Sequence, residues 1–434
     1  MRILFLLPIL VPYMMIANAQ TSEKFAAIWE KEHVTHILPS DVRHANLKNY
    51  IEELKKLGLN VDEVGRSGAG REIYQVEFGH GPLKVFMWSQ MHGDEPTATS
   101  ALIDMFAYFQ KNRKSEFVKM IEDKITLRAV PMLNPDGAEI YQRRNLQSID
   151  INRDALDLRT PEAQLLKKLR DDWMPAIGFN LHNQQELTTV GHSWNQATIS
   201  LLVVYGDAAK TPSPGQDRNT RLVSAIINGL QKFIPGHIAR YDDEYTATAF
   251  GDNFSAWGTP TILIETGALH GKDEMYLVKL NFVAFLTALN ALITGSEANE
   301  STAPYLSLLE NGGGTLYYFI FRNANIIGAN GETYVADIGV NTERRRASFA
   351  APNIIRTVGS IVGSHGLEEY DVSGFDVAQR FGSLRVGDLA ELFFYKKDRV
   401  VDWKSTDLEK QFPPDAVFSL GKWAKGEGVV PKMK

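Results

Sequence analysis

The chain has 434 residues, 44% hydrophobic and 23% charged, ordinary values for soluble globular protein and enough for two domains. A net charge of -6 argues against nucleic acid or an anionic membrane surface as partner. There is no cysteine, so disulfides and thiolate metal sites are excluded, and any zinc must be held by His and carboxylate groups.

The first residues, MRILFLLPILVPYMMIANAQ, combine Arg2, an apolar run from Ile3 to Ile16, and the small-x-small pattern Ala17-Asn18-Ala19. This reads as a signal peptide over residues 1–19, cut before Gln20. The expected mature protein is exported, periplasmic or extracellular, and has no stable membrane insertion. No other stretch is expected to be long and apolar enough to cross a bilayer.

Residues 21–60 carry Leu47, Ile51, Leu54 and Leu57 at helical spacing. Gly65, Gly68 and Gly70 mark turns, and Ile73 to Phe78 alternates as a strand. Leu83 to Trp88 reads as a buried strand. It ends abruptly in His92-Gly93-Asp94-Glu95, and Pro96 opens a helix running to about Lys111. Ile125 to Pro131 is a strand closed by the turn Leu133-Asn134-Pro135-Asp136-Gly137. Pro161 to Arg170 is a helix, Ile177 to Leu181 a strand ending at His182, and Leu201 to Tyr205 another strand. Asn219 to Phe233 is a helix, Thr261 to Ile264 a buried strand ending at Glu265, and Met275 to Leu292 a long apolar helix.

Strands alternating with helices predict an α/β fold, a mixed, mostly parallel twisted sheet with helices on both faces. Sites in such sheets gather at the carboxyl ends of strands, where His92, Asn134, His182 and Glu265 all fall. The catalytic domain is expected over residues 20–298, with a polar linker at Gly295 to Ala303. Residues 299–434 are expected to form a small β-rich domain with strands at Thr315 to Phe321, Thr333 to Ile338, Ile354 to Val362, Leu389 to Tyr395 and Arg399 to Trp403. This tail carries no ligand set and reads as a structural or binding appendage.

His92 and Glu95 sit three residues apart on a strand-to-helix corner, where two side chains can converge on a metal. A catalytic zinc keeps three protein ligands and one open position. His182, which caps a buried strand, is the best third candidate. Asp150 is available to accept a ring N–H from a ligating histidine. Glu265, at the mouth of an apolar strand, suits a general base. Arg143 or Arg144 suits a developing oxyanion, and Asn152 with Arg153 suits a substrate carboxylate.

The segments HGDE, NPDG, RRN, DINR, LH and ETG, in that order, resemble the zinc metallocarboxypeptidase family typified by carboxypeptidase A, over roughly residues 40–295. The resemblance implies one zinc ion held by His92, Glu95 and His182, with Asp150 orienting the first histidine. It implies Arg143, with Arg144 in reserve, at the scissile carbonyl, Asn152 and Arg153 at the substrate's C-terminal carboxylate, and Glu265 as base. A mobile tyrosine is implied at Tyr245, with Tyr241 competing. The implied partner is a peptide with a free C-terminal carboxylate, and the reaction is hydrolysis of its last peptide bond. Two other readings stand beside this one. The first is a zinc-dependent N-acyl amino acid deacylase of the aspartoacylase and succinylglutamate desuccinylase group. The second is an inactive peptide-binding relative.

Overall fold

Buried runs ending at polar residues build the centre of a sheet, and a computed structural model shows how they are ordered. It describes residues 22–343, 346 and 348–433; the expected signal peptide lies outside the described residues. The chain divides into two units. The first comprises the chain up to Glu186 together with Asn195–Asn311, and the second comprises Leu187–Trp194 together with the chain from Gly312 onward.

In the first unit the elements run as follows: α1 (22–32), α2 (His44–Lys56), β1 (Asn60–Arg66), β2 (Glu72–Phe78), β3 (Leu83–Ser89), α3 (Thr97–Lys111), α4 (Glu116–Lys124), β4 (Ile125–Val130) and α5 (Pro135–Glu139). They continue with α6 (Pro161–Trp173), β5 (Ile177–Asn183), β6 (Ile199–Val204), α7 (Pro214–Leu230), β7 (Ile238–Arg240), α8 (Phe250–Ala256), β8 (Thr261–Thr266), α9 (Glu274–Thr294) and α10 (Ala303–Leu306). The eight-stranded sheet has the order β1-β2-β4-β3-β5-β8-β6-β7. Its centre, β4-β3-β5-β8, is parallel, and β6 returns antiparallel to β8. Period-two alternation sends Leu181, Leu201, Val203 and Ile264 into a core shared with α3, α7 and α9. The other face, with Phe86 and Trp88, packs against Leu166 of α6 and Phe250 and Phe254 of α8. Helices cover both faces, as expected for an α/β sheet of this kind.

The helix α9 corrects one expectation. By length and composition it is apolar enough to cross a membrane, but 83% of that stretch is buried inside the protein. A helix that is hydrophobic all round is one buried all round. Phe282, Phe285, Leu286 and Leu289 lie inside, each worth roughly 1.5–3 kcal/mol of burial.

Several boundaries move for local reasons. The helix α7 begins at Pro214, not Asn219, because Ser213 and Gln216 form a capping box around a proline at the first helical position. The polar β1 and the three-residue β7, absent from the expected set, are the two edge strands. The expected domain boundary at residue 298 falls instead after Asn311. Residues beyond 298 stay with the first unit because Tyr305 is buried in its core and its hydroxyl accepts a hydrogen bond from Val203 N at 3.1 Å.

In the second unit an eight-stranded sheet runs β11 (Asn353–Gly359), β10 (Thr333–Thr342), β9 (Leu316–Ile327), β13 (Phe375–Gln379), β14 (Leu392–Lys396), β15 (Ala416–Ser419) and β16 (Lys422–Lys425), with β12 (His365–Asp371) pairing parallel to β9. Its aromatic core includes Phe321, Phe394 and Phe418. The β-rich expectation holds for this unit, but Arg399 to Trp403 is not a strand. Val401 and Trp403 pack from an irregular segment onto Phe393 and Tyr395, while Val400 is 93% exposed.

Candidate active site

The strand β3 is stopped by Gln90, whose φ of 50° is left-handed. Its side-chain amide donates to Gly93 O at 3.0 Å and its backbone carbonyl accepts from Asn134 N at 3.0 Å. Gly93 has no room for a side chain, since a Cβ there would stand 2.0 Å from the Gly137 carbonyl carbon. Asn134, fully buried, donates from Nδ2 to Met91 O at 3.2 Å and to Arg143 O at 3.3 Å. The Asn-Pro-Asp-Gly turn thus ties the His92 corner to the Arg143 segment. The sequence shows Asn134 at a strand end and NPDG among the family-like segments, but not this tie.

On this frame His92, Glu95 and His182 converge, with donor atoms all within 4.8 Å of one another. His92 Nδ1 lies 2.8 Å from Glu95 Oε1, and His182 Nδ1 lies 2.6 Å from Glu95 Oε2. The two Nδ1 atoms are 3.1 Å apart. Ligands at about 2.0–2.1 Å around a tetrahedral zinc stand roughly 3.3 Å from each other, so a small opening of this cluster fits the ion. The donor set, two imidazoles and a carboxylate, is also the chemistry such an ion takes. Asp94 is not part of the cluster. Behind it, Asp150 Oδ1 sits 3.1 Å from His92 Nε2 and its other oxygen accepts from Arg143 Nε at 2.9 Å. Arg143 Nη1 reaches to 3.1 Å from His92 Nδ1. Asn183 N, unremarked in the sequence, donates to Glu95 Oε2 at 3.1 Å.

The electrostatics follow from burial and partners. Burial alone would lower the His92 pKa, but Glu95 and Asp150 outweigh it and raise it to about 9. His182 is shifted down, chiefly by burial. Glu95 is held well below the usual carboxylate range, its desolvation outweighed by the two histidines. Desolvation opposes charge on Arg143, yet Asp150 and Glu95 hold its pKa up. Glu265 differs from these. Burial, and then the neighbouring Glu95 charge, push its carboxyl well above the usual range. Strand register places Glu265 directly across from His182.

The remaining candidates divide. Asn152 Oδ1 accepts from Phe250 N at 2.9 Å, which leaves its amide N–H groups as donors. Arg153 is exposed and donates to Asn152 O at 2.7 Å. Arg144 is exposed and spends Nη1 on Ser148 O, so the structure does not bring it to the cluster. Of the two tyrosines, Tyr241 is anchored by a bond from its N to Leu201 O and packs on Leu202, Val204 and Leu263. Glu265, then burial, raise the pKa of its hydroxyl. Tyr245 is half-buried on the same connection between β7 and α8. The strand β7, directly before Tyr241, was not legible in the sequence.

Comparison with known proteins agrees with this geometry. Residues 47–250 match the family model described as zinc carboxypeptidase. Carboxypeptidase SOL1 of Arabidopsis thaliana is 28% identical over 143 residues, 29% of each chain. Carboxypeptidase 2 of Trichophyton rubrum is 27% identical over 100 residues, 23% of this chain and 18% of that one. The match thus spans less than a third of either relative. A metallo-carboxypeptidase from Burkholderia cenocepacia superposes with a TM-score of 0.47 at 15% identity, covering 58% of this chain and 69% of that one. Residues 47–250, just under half of the chain, thus match the zinc carboxypeptidase family.

Proposed function

We propose that the protein is an exported zinc metallocarboxypeptidase that removes residues from the C-terminus of peptides. The observation that carries this reading is the buried convergence of His92, Glu95 and His182 beside a carboxyl, Glu265, that is not itself one of the donors. A zinc ion held by those three residues would supply a Lewis acid for the scissile carbonyl and lower the pKa of water there. The remaining chemistry belongs to the chain. Glu265, with its proton affinity raised, takes the proton of the attacking water and passes it to the leaving amine. Arg143, fixed by Asp150, offers its guanidinium to the developing oxyanion. Asn152 and Arg153 grip the terminal carboxylate of the substrate. Tyr241, whose hydroxyl stands in the field of Glu265, is the site tyrosine of this reading, so Tyr241→Phe should impair turnover more than Tyr245→Phe.

The test is Glu265→Gln. It should keep zinc, measured by elemental analysis, while kcat falls by roughly 10²–10⁴-fold. Near-normal turnover with zinc bound would remove Glu265 from the mechanism. A peptide-library digest read by mass spectrometry should show loss of C-terminal residues. Hydrolysis of N-acyl amino acids with peptides left intact would assign the site to a deacylase instead.

A further inference from the structure

The rung of the sheet that carries Glu265 has a third member. Register pairs His182 of β5 with Glu265 of β8, and Glu265 with Ser200 of β6. Residues directly opposite on adjacent strands point to the same face, with Cβ atoms about 4.5–5.5 Å apart in an antiparallel pair. The packing confirms the face. Leu201 and Val203 enter the core shared with α7 and α9, while Leu202 and Val204 lie on the other side with Leu263 and Tyr241. Ser200 shares the parity of Leu202 and Val204, and Glu265 that of Leu263, so both stand on the active-site face.

Ser200 is fully buried, and its Oγ has no hydrogen-bond partner among the described residues. A buried hydroxyl without a partner costs free energy and asks for a reason. The strand gives none, because valine or threonine suits a buried strand better than serine. The side chain of Glu265, a residue 7% exposed, likewise has no hydrogen-bond partner among the described residues. An unused donor and an unused acceptor thus occupy adjacent positions on one rung.

We propose that Ser200 is a positioning residue for Glu265: its hydroxyl turns about a single bond and donates to the Glu265 carboxylate, fixing the aim of that carboxylate during turnover. The inference rests on the role given to Glu265 above. A hydrogen bond to a charged acceptor is the stronger kind, and it would hold the carboxylate when ionised without touching the substrate.

The experiment compares Ser200→Ala, Ser200→Val and Ser200→Thr in the zinc-loaded enzyme on a peptide substrate. Ala and Val should lower kcat about tenfold with KM changed by less than about twofold, while Thr, which restores the hydroxyl on the shape of Val, should recover most of the loss. Zinc content should be unchanged in all three. A second readout needs no turnover. In the zinc-depleted protein, the infrared carbonyl band of protonated Glu265, assigned by its absence in Glu265→Gln, should move to higher frequency in Ser200→Ala. An unmoved band, or Thr as impaired as Val in a normally folded protein, overturns the proposal. If Glu265→Gln itself keeps activity, the catalytic reading fails. If Glu265→Gln is inactive and Ser200→Ala behaves as wild type, only the Ser200 proposal fails.

Discussion

Each unit holds a charged network, buried in the first and half-buried in the second, and the two are finished differently. In the second unit, the Arg322 guanidinium directs all five of its N–H groups to partners: Glu369 at 3.0 and 3.3 Å, Asp337 at 3.1 Å, Ile361 O at 3.1 Å and Ser364 O at 2.8 Å. Its carboxylates take further backbone donors, from Asn323 N and Gly366 N. Among the described residues, every N–H of that guanidinium has a partner. In the first unit, His92, Glu95 and His182 aim their donor atoms at one another, and His182 Nε2 is buried without a partner among the described residues. A network that satisfies itself holds a fold, whereas one whose lone pairs meet at a point is shaped for something added.

The largest break should come at His182. His182→Ala removes one of three donors, and elemental analysis after dialysis should find no retained zinc and no peptide hydrolysis. Full zinc content in that variant would show that the donors do not meet on a metal. Next, Arg322→Met leaves the half-buried Glu369 and Asp337 without their cation and should cost about 2–3 kcal/mol in denaturant unfolding, after allowance for solvent screening. A cost below about 1 kcal/mol would place that network among surface pairs. Asp104 sharpens the contrast within the first unit, since it accepts from Trp29 Nε1, Val34 N, Thr35 N and Thr35 Oγ1 and uses both its oxygens. Asp104→Asn should lower stability by about 2 kcal/mol while kcat is unchanged.

The smallest effect concerns pH. Burial pushes the Asp252 carboxyl up to about 6, against partial opposition from Thr246 N–H and Arg153. In the unfolded chain its value is about 3.9. Folding therefore binds a proton between those values. The stabilisation is full below about pH 4 and is lost as pH rises through about 6. Asp252→Asn should narrow the gap between melting midpoints at about pH 5 and pH 8 by the equivalent of about 1 kcal/mol, after allowance for solvent screening. An unchanged gap would show that Asp252 does not titrate differently on folding.

What was legible in the sequence follows the physics of burial. The runs of β3, β4, β5 and β8 are apolar because they lie between two helical layers, and the polar residues ending them mark the site. The strands β1 and β7 went unseen because an edge strand needs little apolar surface: β1 is NVDEVGR, and β7 has three residues. The helix α4 was missed because it is short, buries only Val118 and Ile121, and runs directly into β4. The segment Arg399 to Trp403 misled in the opposite sense, its alternation of apolar residues having no partner strand to join. The motif residues were readable because each has a chemical reason for its type. Ser200 was not, because its meaning comes only from which strand lies beside β8.

One consequence of the chain's route remains. Leu187–Trp194, between β5 and β6, belongs with the second unit, where Leu187 packs against the aromatic core. On the ribosome this segment emerges 312 − 194 = 118 residues ahead of the rest of its unit. At about 5–20 residues per second that is a wait of roughly 6–24 s. The first unit must therefore tolerate an unpaired loop just downstream of His182 while synthesis proceeds. In a chain ended at Asn311, Leu187 would have no aromatic core to pack against.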